Sequence, residues 1–356
     1  MPWNAWLNDG KSTVVGKIKS PLPEIKGQFN TRNNQIALSA LLTIEKDVRA
    51  AITEYGSDRV AIIMATSTSG ISDGEQALAI KNTMGEFPDD YHYRQQELGN
   101  LGEFIAQYLQ VTGVYTISTA CSSSGRVFIS AKRLLKAGLV DAVLVGGADS
   151  LCKLTLNGFH ALEALSSSLC NPFSTNRNGI NIGEGAAFML LSTKQSSNNI
   201  ALLGVGDSSD AHHISAPHPQ GLGAISAMQK ALHDAQLNAH DIGYINAHGT
   251  ATPLNDAMES KAIYRLFQDA VPVSSTKPLT GHTLGTASIL EASICCLLLQ
   301  EKLDLPIQIN DGIFDTNMAP IKLVTTKQPL QKKALLSNSF AFGGNNVSLI
   351  FGYYHG

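Results

Sequence analysis

An α/β fold with buried sheets is what this 356-residue sequence predicts, on three observations. Short apolar runs alternate with helix-like segments along the chain. The runs are continuous, as in strands covered on both faces. The 31 glycines provide many tight turns between them, while 44% hydrophobic and 15% charged residues allow a large core.

The strand-like runs are VAIIM (60–64), VYTIS (114–118), AVLVGG (142–147), AAFMLL (186–191), ALLGVG (201–206), IGYIN (242–246) and NVSLIFG (346–352). After VYTIS comes the small-residue turn TACSSSG and then the helix-like RVFISAKRLLKAG. Further on, AISAMQKALHDA places Ala224, Met228, Ala231, Leu232 and Ala235 on one helical face, and AMESKAIYRLF does the same with Met258, Ala262, Ile263 and Leu266. Both helices are expected to cover a sheet. By contrast GTASILEASICCLLLQ is apolar nearly all round, which predicts a helix buried in the middle of the molecule. Glu291 inside it needs a partner, because an unpaired carboxylate in a dry helix is costly.

The chain exceeds the length at which one core usually stops growing. The polar stretch STKQSSNN (192–199) divides it into halves, residues 1–198 and 199–356. TISTACSSSGRVFISAKRLL and YINAHGTATPLNDAMESKAIYRLF both read strand, small-residue turn, helix, the layout of a duplicated βα unit at low residue identity.

A net charge of -3 without a basic block argues against nucleic acid as a partner. Five cysteines (Cys121, Cys152, Cys170, Cys295, Cys296), odd in number and without CxxC spacing, indicate neither a disulfide framework nor a zinc site. No metal is expected, and there is no GxxxxGKS phosphate loop. The start MPWNAWLNDGK has no apolar signal core, and ILEASICCLLL is too short to span a bilayer, so a cytoplasmic protein without membrane contact is expected.

A free cysteine is most often a small buried hydrophobe, and four of the five fit that description. Cys121 differs because it sits where a strand gives way to a helix, and helix N-termini stabilise thiolate. A nucleophilic cysteine needs partners. His92, His212, His213, His218, His233, His240 and His355 have loop or helix-surface settings, whereas His248 in NAHGTATPLND and His282 in KPLTGHTLGTA each stand at the mouth of a helix among glycine and threonine. Lys277, five residues before His282, can hold a carboxylate, anchor a network around Glu291, or be solvated. The glycine pair after Phe342 in SNSFAFGGNNVSLIFG is either a tight turn before a last strand or a place where N–H groups meet an oxyanion.

TACSSSG, NPFSTNRNGINIGEGAA, NAHGTATPLNDAME, STKPLTGHTLGTASILEA and NSFAFGG occur in the order of the signatures of the β-ketoacyl-acyl carrier protein synthases, the decarboxylating condensing enzymes of the thiolase superfamily, which the chain resembles from about residue 58 onward. STSGISDGE, YHYRQQE, ADSLCKLTLNGF and GDSSDAHHISAPHP resemble the branch found in arylpolyene-type biosynthetic clusters. The resemblance implies a thiolase-like fold of two similar βαβαβ-based halves in α-β-α-β-α layers. It also implies a decarboxylative condensation of malonyl-acyl carrier protein with an acyl chain, in fatty acid, polyene or polyketide biosynthesis. Phosphopantetheine would arrive on the acyl carrier protein, with no cofactor of the protein's own. A dimer is implied, either of identical subunits or with a related condensing-enzyme subunit.

Carried over residue by residue, the resemblance makes Cys121 the nucleophile and has His248 and His282 hold the malonyl thioester carbonyl. Lys277 and Glu291 are implied to order the second histidine and its surroundings. The backbone N–H groups of Cys121 and Phe342 form the oxyanion hole, and the Phe342 ring gates the acyl pocket. Thr250 and Thr252 are implied to bind the pantetheine arm, and Asp256 and Glu259 to be structural. Three departures stand out: the family's opening strand is missing before MPWNAWLNDG, Ala341 replaces the first glycine of GFGG with Asn345 in the following threonine's place, and TSTSGISDGEQALAIKNTMGEFPDDYHYRQQE, near the family's dimer interface and acyl pocket, differs from the fatty acid enzymes. Two other readings stay open, a chain-length-factor subunit without catalysis and an initiating or acyltransferase member of the superfamily.

Overall fold

The computed structural model describes residues 2, 3, 6–195 and 199–354. Part of STKQSSNN (196–198) and His355 therefore lie outside the described residues. The strands are β1 (Pro2–Trp3), β2 (Thr13–Gly16), β3 (Val60–Ala65), β4 (Gly113–Ile117), β5 (Ala142–Asp149), β6 (Ile182–Gly183), β7 (Gly185–Ser192), β8 (Ile200–Ser209), β9 (Ile242–Asn246), β10 (Pro272–Ser274), β11 (Lys322–Leu323), β12 (Ala334–Phe340) and β13 (Asn345–Tyr353). The helices are α1 (Arg32–Leu41), α2 (Glu45–Tyr55), α3 (Ile71–Met84), α4 (Asn100–Leu109), α5 (Ser123–Lys136), α6 (Lys153–Ala161), α7 (Leu222–Ala235), α8 (Pro253–Phe267), α9 (Lys277–Thr280) and α10 (Ala287–Gln300). Each of the seven apolar runs forms a strand, within a few residues of its predicted ends.

Two sheets carry the fold. The first has the order β4-β3-β5-β7, with β3 parallel to both neighbours and β7 antiparallel to β5. The second has the order β11-β10-β9-β12-β13-β8, with β9 parallel to β10 and β12, and β13 antiparallel to β12 and β8. The directions of β4-β3-β5-β7 thus repeat in β10-β9-β12-β13. Beyond β13 lies β8, which has no counterpart next to β7 among the described residues. β1, β2 and β6 make a small third sheet.

Side chains alternate across each strand, so one sheet can serve two helix layers. Ala61, Ile63 and Ala65 of β3 pack with Val127, Phe128 and Ala131 of α5 and with Ile289, Ala292 and Cys295 of α10, and Leu335, Val347 and Leu349 close the same core from the second sheet. α5 and α10 therefore lie between the sheets, as the all-round apolar character of 285–300 predicts. Ile62 and Met64 face α1 and α4 outside. Met228 and Leu232 of α7 and Met258 and Ile263 of α8 cover the far face of the second sheet. The result is the α-β-α-β-α layering of thiolase-like folds.

Candidate active site

The nucleophile candidate is presented by a strained turn. Between β4 and α5, Ala120 takes φ +51°, a left-handed conformation that L-residues with a Cβ rarely adopt. Two serines hold it there: Ser123 Oγ accepts the Thr119 N–H at 2.8 Å and donates to the Ala120 carbonyl at 2.5 Å, and Ser122 Oγ donates to the Thr119 carbonyl at 2.9 Å. Cys121 follows, with 6% of its surface exposed at the floor of a cavity of about 330 Å3. Burial pushes its thiol pKa up to about 12, against the opposing pull of the Lys277 charge and of the Phe342 and Cys121 backbone N–H groups. The helix end alone does not make a resting thiolate, as its sequence position led one to expect, because desolvation is the larger effect.

His282 stands beside the thiol. Its Nε2 lies 3.0 Å from Cys121 Sγ. The backbone fixes it in place: the His282 N–H donates to the Asn181 carbonyl at 2.6 Å, and its own carbonyl accepts the Gly183 N–H at 3.0 Å, so the segment runs as an extra strand along β6. This requires two chains to pass almost in contact. A Cβ on Gly183 would stand 2.3 Å from the Thr280 carbonyl oxygen.

His248 stands at the end of β9 with its ring centroid 5.3 Å from that of His282 and nearly perpendicular to it. Glu259 of α8 accepts the N–H groups of His248 and Gly249 at 2.8 and 2.7 Å, which shapes the turn. Lys277 Nζ lies 3.4 Å from His248 Nδ1 and 2.5 Å from Glu291 Oε1. An ammonium can only donate, so Nδ1 accepts and a neutral His248 carries its proton on Nε2. Burial first, then the Lys277 charge, hold both imidazoles well below their ordinary pKa, hence neutral.

Three more of the predicted residues line the same cavity. Thr250 and Thr252 line it with their hydroxyls 3.0 Å apart. Phe342 lines it too, half-buried, its ring 5.7 Å from that of Phe159. Ala341 closes the adjoining turn, its N–H donating to the Asn345 carbonyl at 2.8 Å and its carbonyl accepting from Gly344 at 3.0 Å. Asp256 does not face the cavity chemistry; it accepts the backbone N–H groups of Phe173 and Ala251, two residues with positive φ. Glu291 has the partner it was expected to need.

One expectation is sharpened, and one residue was missed. Lys277, expected with Glu291 to order His282 and its surroundings, makes its contact with His248, whose ring packs against that of His282. Sequence reasoning also passed over Asn181, whose carbonyl anchors His282 and whose side chain clamps the Ser168 carbonyl and the Cys170 N–H. The only signal for it was one amide in the otherwise apolar INIG. Among the described residues no cluster of three or more His, Cys, Asp or Glu could hold a metal ion, and no helix is long and apolar enough to cross a membrane.

Residues 35–197 match the family model described as "Beta-ketoacyl synthase, N-terminal domain", and residues 200–310 match "Beta-ketoacyl synthase, C-terminal domain". Nodulation protein E of Rhizobium meliloti is 38% identical over 251 residues, 67% of this chain, which spans 61% of that protein's length. The 3-oxoacyl-(acyl-carrier-protein) synthase 2 of Staphylococcus aureus is 31% identical over 352 residues, 90% of this chain and 83% of that one. Among solved structures, a ketosynthase (ApeO) in complex with its chain length factor (ApeC) from Xenorhabdus doucetiae matches with a TM-score of 0.96 and 48% identity, covering 99% of this chain and 90% of that one. The ishigamide ketosynthase/chain length factor matches with a TM-score of 0.85 at 28% identity, covering 95% and 87%.

Proposed function

The chain belongs to the β-ketoacyl synthase family, and from that premise we propose that it condenses an acyl chain held on Cys121 with malonyl-acyl carrier protein, releasing carbon dioxide. The observation that carries this reading is the meeting of Cys121 Sγ with His282 Nε2 at 3.0 Å, beside a second neutral imidazole. In the first half-reaction Cys121 Sγ attacks the acyl thioester. Its proton passes to His282 Nε2 and on to the departing pantetheine thiol. In the second, the lone proton of His282 exchanges from Nδ1 to Nε2, and the Nε2–H groups of His248 and His282 hydrogen-bond the malonyl thioester oxygen. As carbon dioxide leaves, charge builds on that oxygen, and donors placed there favour the transition state over the ground state. The enolate carbon attacks the acyl carbon on Cys121, the oxyanion rests on the N–H groups of Cys121 and Phe342, and collapse expels the Cys121 thiolate, which takes a proton from solvent. Thr250 and Thr252 hold the pantetheine amides, and the Phe342 ring closes the acyl pocket.

Lys277 fixes the tautomer that the decarboxylation step needs. Glu291 neutralises it in the dry interior. For a partner, the likeness to a ketosynthase found with its chain length factor supports a heterodimer with a related subunit, of the arylpolyene-type branch. The chain's own role as a chain length factor fits less well, since the cysteine and both histidines converge. The test is carbon dioxide release from malonyl-acyl carrier protein. Cys121→Gln is expected to lose condensation while decarboxylation persists, and His248→Ala or His282→Ala to lower decarboxylation about a hundredfold or more. Condensation unchanged in Cys121→Gln would contradict the reading.

A further inference from the structure

The turn that leads from His282 into α10 is strained. Leu284 takes φ +50°, in the left-handed region that side-chain-bearing residues rarely enter, and such a conformation persists only where its surroundings over-determine it. We propose that Asp149 is a positioning residue for the condensation: its carboxylate ties this turn to the one that follows β3, and so holds His282 at the Cys121 thiol. The proposal rests on the condensing function proposed above and adds what keeps its proton acceptor in place.

Asp149 ends β5 and is wholly buried. Its Oδ1 accepts the N–H groups of Ser67 and Thr68 at 2.6 and 2.8 Å and the hydroxyls of Thr66 and Thr68 at 3.1 and 3.0 Å. Its Oδ2 accepts the N–H and the hydroxyl of Thr286, the residue before α10, at 2.9 and 3.0 Å. The turn after β3 is strained as well, with Ser69 at φ +44°. Thr66 Oγ1 accepts the Ser69 N–H and Thr68 Oγ1 the Ser150 N–H, each at 2.9 Å, which turns both hydroxyl protons toward Asp149. Burial pushes the Asp149 pKa up, and the hydrogen bonds from Ser67, Thr68 and Thr286 oppose that rise. One carboxylate thus satisfies donors from two strained turns at once.

Asp149 does not line the cavity, so its effect on the chemistry passes through His282. The Asn181 and Gly183 backbone holds that residue on one side, and Asp149 holds Thr286 on the other, with only Thr283, Leu284 and Gly285 between. There is no slack in this span. A Cβ on Gly285 would stand 2.6 Å from Ser67 Oγ and 3.2 Å from Asp149 Oδ2. A carboxamide in place of the carboxylate has one acceptor oxygen and one NH2 group, so whichever way it turns it faces the donors of one turn with a donor. The tie is then cut, Leu284 can relax, and a small shift of the His282 ring is enough to impair proton transfer.

The experiment measures the rate of acyl transfer from acyl-acyl carrier protein to Cys121 in the unaltered protein, Asp149→Asn, His282→Ala and the double variant. Asp149→Asn is expected to lower the rate about tenfold or more in the parent, but less than about twofold in His282→Ala, because the imidazole through which it acts is already gone. A merely structural loss would carry over undiminished into the second background. Thr286→Val, which removes a single hydroxyl bond and leaves the carboxylate, carries the same comparison should Asp149→Asn not fold; a loss of about threefold in the parent alone is expected. Equal losses in the two backgrounds, or a parent rate that neither substitution changes, overturn this proposal and leave the condensing function standing. An unaltered protein that takes no acyl group overturns the condensing function and this proposal with it.

Discussion

Cys121 sits where two effects oppose each other: a helix N-terminus and nearby N–H groups favour thiolate, and burial disfavours it more strongly. In the proposed mechanism its reactivity depends on transferring the proton to His282 rather than on a standing negative charge. Below a thiol pKa of about 12, the thiolate fraction rises tenfold per pH unit. Alkylation of Cys121 by iodoacetamide is accordingly expected to climb roughly tenfold per unit from about pH 7 to 10, and a plateau near pH 8 would show a thiolate already formed. The Lys277–Glu291 pair has an analogous balance. Removing Glu291 alone strands a buried ammonium, at a cost of about 3–5 kcal/mol, whereas replacing both by apolar residues of similar volume leaves no buried charge. Glu291→Leu should thus lower the melting temperature more than Glu291→Leu with Lys277→Met, while both lower decarboxylation. The residue types and their order were legible in the sequence. Which histidine the lysine serves was not, because a five-residue separation along the chain says nothing of the direction in which α9 projects it.

The elements show where apolar patterning succeeds and fails. Seven strands were legible as apolar runs, yet β12, which lies inside the second sheet between β9 and β13, was not. Its sequence ALLSNSF ends in polar residues that are buried and satisfied by tertiary partners: Ser339 Oγ meets Ser288 Oγ at 2.5 Å, and Asn338 Oδ1 accepts from Ser348 Oγ at 2.8 Å. A polar stretch reads as loop until its partners are in place, and these come from the following strand and from α10. β6 is equally silent, being two residues long, but it carries the backbone contacts of His282. Gly183→Ala would force a methyl against the Thr280 carbonyl and push the His282 segment away. The expected outcome is a drop in Cys121 acylation of about tenfold or more with a far-UV spectrum close to that of the parent, since a misplacement near 1 Å is enough to impair a proton transfer.

At the scale of the molecule, the repeated strand order places the Cys121 turn at the end of β4 and the His282 segment after β10, positions that correspond in the two sheets, with α5 and α10 side by side between them. The layered architecture thus brings Cys121 of one half to His282 of the other. The cost is a set of buried carboxyl groups around the centre. Burial pushes Glu259 up to about 7 from an ordinary value of 4.5. Its folded pKa is raised, so the folded state holds a proton that the unfolded chain has already released, and stability falls as pH rises from about 4.5 to 7. Glu259→Gln is expected to flatten the melting temperature over that window, and an unchanged slope would place the titration elsewhere.

The central claim is that Cys121 carries the acyl chain with His282 as its proton partner. Intact-protein mass spectrometry after exposure to acyl-acyl carrier protein tests it most directly. One acyl increment that maps to the peptide containing Cys121, is lost in Cys121→Ala and forms far more slowly in His282→Ala is the predicted result. An increment that persists in Cys121→Ala, or that forms at the parent rate in His282→Ala, would contradict the account.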